Sequence, residues 1–184
     1  MDKQLFEGKL VRLAAPDVDR DVATESEWTH NANFMRLMYA EPMHPLSPNA
    51  MRKKREAEAQ DPRRNQFFYS IRALADDRMI GLARLGRIEW NNGTSRILLG
   101  IADENDRGRG YGSDALNLLL NFAFNELNLY RVNASTAEYN EPALAFLQKN
   151  NFAIEVRRRE AIQRDGKYWD LIMLGLLRED WIDK

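Results

Sequence analysis

Apolar positions along this chain switch repeatedly between a two-residue and a three-to-four-residue spacing, and each switch marks an element. A short first strand is predicted over residues 9–14. Residues 17–38 read as one helix, with acidic residues early, where the helix dipole favours them. Trp28, Phe34, Leu37 and Met38 fall on its inner side. Pro42, Pro45 and Pro48 make residues 39–48 a loop. Ser47 and Pro48 have the form of an N-cap followed by proline at the first helical position. The charged run 51–60 continues that helix, polar nearly all round and half exposed.

Residues 66–74 contain Phe67, Phe68, Tyr69 and Ile71, aromatic and β-branched types that suit a strand. Asp76-Asp77 is a turn, residues 79–90 a longer strand, and Asn91-Asn92-Gly93 a hairpin signal. Residues 97–102 then read as an apolar strand buried on both faces, which closes a three-stranded meander. A polar stretch, 103–109, leads into a helix over 110–127. Asp114, Asn117, Asn121 and Asn125 define its wet face, and Leu116, Leu119, Leu120, Ala123 and Leu127 its dry one. A strand over 130–136 and a short helix over 141–150 follow. Two last strands, 152–163 and 168–177, are joined through Arg164-Asp165-Gly166-Lys167. The order β-α-α-β-β-β-α-β-α-β-β predicts an α/β fold, a mixed sheet with helices on both faces. No repeat or linker interrupts it, so residues 1–184 are expected to form a single domain.

Composition narrows the chemistry. A hydrophobic fraction of 44% is enough for a sizeable core. Lys and Arg number 27 against 28 Asp and Glu, so no basic nucleic-acid footprint covers the whole chain. Cysteine is absent, which excludes a disulfide framework, a thiolate zinc site and a cysteine nucleophile. His30 and His44 stand apart, so no histidine-based metal site is expected. Charges throughout residues 1–10 do not fit a signal peptide, and no apolar run approaches the roughly 20 residues of a membrane span. A soluble, cytoplasmic protein without nucleic-acid or membrane partners is expected.

The informative segment is G-I-A-D-E-N-D-R-G-R-G-Y-G-S-D-A, residues 100–115. A strand ends, a loop with Gly108, Gly110 and Gly112 follows, and a helix begins. Backbone N–H groups bare of side chains, backed by the helix dipole, form a nest for an anion such as a pyrophosphate. Arg107 and Arg109 add positive charge. Asn140 has the placing of an N-cap for the helix after it. The Walker loop does not fit, because no lysine precedes Ser113. The dinucleotide fingerprint does not fit either: the glycine spacing is G-x-G-x-G, and three or more strands precede it.

What remains is R-x-x-G-x-G at Arg107, Gly110 and Gly112, which resembles the signature of the GNAT N-acetyltransferase superfamily. Ile80-Gly81, Asn140 with Ala143 and the segment 146–152 extend the likeness. Asp165-Gly166-Lys167-Tyr168-Trp169-Asp170, then Leu176-Leu177-Arg178-Glu179-Asp180-Trp181, resemble the ending of its RimJ/RimL-type branch, named for enzymes that acetylate ribosomal-protein N-termini. The resemblance implies a mixed, mostly antiparallel twisted sheet of about seven strands, splayed between the fourth and fifth. It implies that Arg107, Gly108, Arg109, Gly110, Tyr111, Gly112 and Ser113 hold the pyrophosphate of acetyl-CoA. Gly100, Ile101 and Ala102 would pair with the pantetheine arm, and an amide near Ile101 or Ala102 would polarise the thioester. Asn140 would contact the cofactor or the amine, with Glu138 or Asp103 as base.

The acceptor pocket is expected from residues 28–48 and the final hairpin, with Trp28 and Asp170 as candidate contacts; His30 and His44 fall in or near that region. Asp170 would meet a cationic acceptor or else pair with an arginine such as Arg158. The implied reaction is direct attack of a primary amine, on a protein N-terminus or a small molecule, upon the thioester in a ternary complex. Two departures stand out: Leu147 and Ala143 occupy the positions where the family places a tyrosine or a serine as acid. They leave open a catalytically silent CoA-binding sensor, and the glycine loop alone leaves open another nucleotide. A homodimer is the family-level expectation.

Overall fold

The computed structural model describes residues 4–60 and 65–182. Its strands are β1 (Val11–Ala14), β2 (Phe67–Ala73), β3 (Met79–Glu89), β4 (Thr94–Ile101), β5 (Arg131–Ala137), β6 (Ala153–Arg164) and β7 (Lys167–Leu177). Its helices are α1 (Val18–His30), α2 (Ala32–Met38), α3 (Pro48–Ala59), α4 (Tyr111–Asn121), α5 (Glu141–Lys149) and α6 (Arg178–Ile182). The strands make one sheet in the order β1-β2-β3-β4-β5-β7-β6. Every neighbouring pair is antiparallel except β4 and β5, which run parallel. The α/β reading and the splay between the fourth and fifth strands both hold.

The two sheet faces carry different chemistry. Ile71 and Ala73 of β2 join the main core with Leu116, Leu119 and Ala123 of the α4 segment. Fully burying side chains of leucine size contributes about 1.5–3 kcal/mol each. The alternate residues, Ser70 and Arg72, face α1 instead. There α1 buries two carboxylates: Asp21 pairs with Arg72, and Glu25 with Arg55 of α3 at 2.5 Å. Burial pushes the Glu25 carboxyl above its ordinary value, against the pull of Arg55. No helix among the described residues is long and apolar enough to cross a membrane.

Three local expectations are corrected. The single helix over 17–38 is two, because Asn31 ends α1 and its side chain then accepts the Phe34 N–H at 3.0 Å, capping α2. The charged helix is not polar all round, since Met51 and Arg55 are buried one turn apart. The fourth strand begins at Thr94, and Leu98 to Ile101 are half-buried rather than closed on both faces. At the far end of α4 the chain widens into a π-helical turn over Phe122–Glu126. Arg178 donates to the Phe124 and Leu129 carbonyls there, at 2.7 and 3.0 Å.

Candidate active site

The site begins where the sheet stops pairing. β5 meets β4 only across Thr94–Arg131, Ser95–Val132 and Arg96–Asn133, and then the strands part. Backbone groups of alternate residues on a strand point to the same neighbour. The Asn133 side chain reaches the Ser95 carbonyl from the β5 side, and the Ala102 N–H donates back to Ile80 of β3. By that parity the amides of Leu99 and Ile101 face the gap. The expectation that Ala102 offers a free amide is therefore corrected; Ile101 and Leu99 carry that capacity. The flexible end of Met38 of α2 packs against Gly100, in the space a Cβ would take.

Beyond Ile101 the loop is tied from beneath. Asp103 accepts from the Asn105 N–H at 2.8 Å, capping a 3-10 turn over Glu104–Asp106. Asp106 is buried and takes two bonds from Arg78, at 2.6 and 2.7 Å. Arg107 turns inward and donates to the Ile101 and Ala102 carbonyls, at 3.1 and 3.0 Å. It braces the strand end, and Arg109 is left exposed beside the loop. Gly108 and Gly110 stand at φ +74 and +90, where a side chain would be strained. Gly110 caps α4 without a side-chain bond, so the first-turn amides at Tyr111, Gly112 and Ser113 have no cap. Asp114 looks away, accepting from the Leu10 and Val11 amides at 2.7 and 3.0 Å.

The hydrogen bonds to Arg78 hold the Asp106 carboxyl below its ordinary value. Its contribution is present above the unfolded carboxylate value, about pH 3.9, and is lost as pH falls below it. In acid titrations followed by circular dichroism, Asp106→Asn should show a smaller loss of stability below about pH 4 than the parent chain.

The remaining candidates are engaged. Asn140 is buried; its oxygen accepts from the Ala143 N–H at 3.3 Å and its nitrogen donates to the Leu37 carbonyl at 3.2 Å. It caps α5 and ties that helix to the end of α2. Glu138 and Asp170 share Arg157, each at 2.8 Å, and Asp170 also accepts from the Glu160 amide at 2.9 Å. These bonds hold the Asp170 carboxyl below its ordinary value. Its arginine partner is Arg157 and not Arg158. Trp28 stands edge-on to Phe34 at 5.8 Å and packs in a small cluster with Met35 and Ala102. His30 and His44 are exposed.

On the α1 side of the splay lies a cavity of about 520 Å³. Tyr39, Tyr139, Arg84, Arg87, Arg96 and Arg158 are among its lining residues, whereas Trp28, Glu138, Asp170, His30 and His44 are not. The β6–β7 hairpin tip closes over it: Asp165 pairs with Arg36 at 3.0 Å, and Arg164 donates to the Ala40 carbonyl at 2.5 Å.

A sheet split beside an uncapped, glycine-headed helix has known counterparts. The family model described as an acetyltransferase (GNAT) domain matches residues 10–153. The chain belongs to the GNAT acetyltransferase family. It is 28% identical over 137 residues to the SPbeta prophage-derived uncharacterized N-acetyltransferase YokL of Bacillus subtilis, covering 74% of this chain and 75% of that one. It is 31% identical over 108 residues to the putative ribosomal N-acetyltransferase YdaF of the same organism, covering 59% and 58%. Among solved structures, the spermidine N-acetyltransferase from Vibrio cholerae in complex with CoA and spermine shares the fold. Its TM-score is 0.83 at 19% identity, over 94% of this chain and 98% of that one.

As a GNAT acetyltransferase the chain is an enzyme, and neither of the two positions expected to hold an acid carries one. Leu147 is 7% exposed and belongs to the main core, and Ala143 has no proton to give. The cavity arginines are what sequence reading passed over. The turn at Asn91-Asn92-Gly93 carried the signal: folded there, the hairpin sets Arg96 opposite Gly86, on the face that also bears Arg84.

Proposed function

We propose that this chain, as one domain over residues 1–184, transfers the acetyl group of acetyl-CoA to a primary amine by direct attack in a ternary complex. The observation that carries the reading is the gap between β4 and β5, which runs from the uncapped head of α4 toward the cavity. The first-turn amides of α4 would take the pyrophosphate. The amides of Leu99 and Ile101 would take the pantetheine arm and the thioester oxygen; one such donor is worth about 2.7–4 kcal/mol. Arg107 and Asn140 act as positioning residues, the first holding the end of β4 and the second fixing α5 against α2. The likeness to YdaF, together with the ending at residues 165–181, supports placement in the RimJ/RimL-type branch.

Proton handling follows from what the side chains leave free. Glu138 and Asp170 share Arg157, and Asp103 caps the 3-10 turn through one oxygen, so this reading assigns the base role to none of them. An α-amine, with an ordinary pKa near 7.7–8.0, is substantially neutral at working pH, whereas a lysine-type amine near 10.4 is not. Holding the reactants together supplies on the order of 7–11 kcal/mol of the barrier, and a thiolate leaves without much help. Incubation with acetyl-CoA and a panel of amines should release CoA fastest with α-amines. The logarithm of kcat/KM should rise with unit slope and level off at or below about pH 8. No release from any amine would overturn the reading.

A further inference from the structure

The charge on the cavity wall goes a step past the acetyl transfer just proposed, on which this inference rests. Arg84 and Arg96 share one sheet face, since Arg84 opposes Leu98 and Gly86 opposes Arg96 in the β3–β4 register. Arg87 joins them through an irregularity. The register shifts between Gly86 and Glu89, and Arg87 stands at φ 50, a left-handed conformation that residues with side chains rarely hold. Such bulges re-aim side chains, and such strain gathers at functional sites. Among the described residues none of these three arginines makes an ion pair, and Glu41 is the one carboxylate lining the cavity. Arg84 lies over the Phe68 ring at 5.3 Å, which steers its guanidinium without neutralising it. Burial, and then the charges of Arg87 and Arg84, push the Arg96 guanidinium below its ordinary value. Guanidiniums keep their protons in proteins, so the positive charge remains, and Glu41 offsets only part of it.

We infer that Arg84, Arg87 and Arg96 bind the carboxylates of an acidic amine acceptor, and that polyamines are refused. Planar guanidiniums offer paired donors matched to carboxylate geometry, and three together repel a polycation. The same charges disfavour the ammonium form of a nearby amine, which favours the loss of its proton. The cofactor's diphosphate is not what the cluster receives. Arg96 lies five residues before Ile101, about 16 Å along an extended strand, while the open head of α4 lies beyond Ile101. In this respect the chain parts from the Vibrio cholerae enzyme solved with spermine.

Calorimetry on the full chain, with CoA present, tests this without requiring turnover. The probes are a hexapeptide with aspartates and glutamates after an N-terminal serine, the same peptide with lysines in their place, free aspartate, and spermidine. The acidic peptide or free aspartate should bind at least about tenfold tighter than the lysine peptide, with spermidine weakest. Arg96→Gln should erase most of that preference and leave CoA affinity unchanged. Arg87→Gln, at an exposed position, should weaken acidic binding with no change in melting temperature. Equal affinity for aspartate and the peptide marks a small acceptor, and a preference for the peptide marks a protein N-terminus; both support the inference. Tighter binding of spermidine or the lysine peptide overturns it, as does no binding of either acidic probe. So does an Arg96→Gln variant that loses CoA affinity but keeps the acidic preference. Acidic binding without CoA release from any amine would overturn the acetyl transfer and leave this pocket assignment standing.

Discussion

Gly110→Glu should reduce CoA affinity by at least about 100-fold, some 2.7 kcal/mol, while the chain still folds. Two effects add. Gly110 stands at φ +90, where any side chain is strained by about 1–2 kcal/mol, and its new Cβ would sit 3.0 Å from Leu10 Cδ1. The larger effect is charge. The first turn of α4 has no cap and offers its amides and dipole to an anion, and a glutamate there brings a carboxylate against the diphosphate. Gly110→Ala separates the two, since it carries the strain alone and should weaken binding far less. Titration calorimetry with CoA reads both variants. Unchanged affinity in Gly110→Glu would remove the loop from the cofactor site.

Asp21→Ala should destabilise the fold by about 3–5 kcal/mol, because it leaves Arg72 charged and buried without its partner. Arg72 is 3% exposed and Asp21 2%, so water cannot take over. Ser70 also loses the carboxylate to which its hydroxyl donates at 2.7 Å. Urea titration measures the loss. The double variant Asp21→Leu with Arg72→Met should recover most of it, since an apolar pair of similar volume avoids the desolvation that both charges suffer. A double variant as unstable as Asp21→Ala would mean that the ion pair itself, and not its unpaired remnant, sets the penalty.

These two cases also mark what the sequence made legible. The two-sided pattern of α4 was read correctly. Leu116, Leu119 and Ala123 declared the buried face of α4, and the glycines at 108 and 110 declared the positive-φ turn before it. Asn31 was hidden, because a polar residue inside a helical pattern reads as wet face unless its side chain is known to cap the next helix. Asp21 and Glu25 were hidden for a related reason: a carboxylate reads as exposed until an arginine from another element is brought beside it. Residues 107–113 stand out in the sequence as a local pattern, whereas the arginines at 84, 87 and 96 belong to none. They meet only through the register of a hairpin and a bulge within it.

The early parting of β4 from β5 has a thermodynamic consequence. Past Arg96 the two strands leave backbone donors and acceptors without strand partners, so the sheet is incomplete in the free protein. An occupant whose own amides bridge that gap would act as a missing rung, and mass action then ties thermal tolerance to its supply. At a hundredfold excess over its dissociation constant such an occupant adds about 2.7 kcal/mol. Amide hydrogen exchange at Leu99 and Ile101 should slow in step, so the molecule is best protected when its co-substrate is abundant.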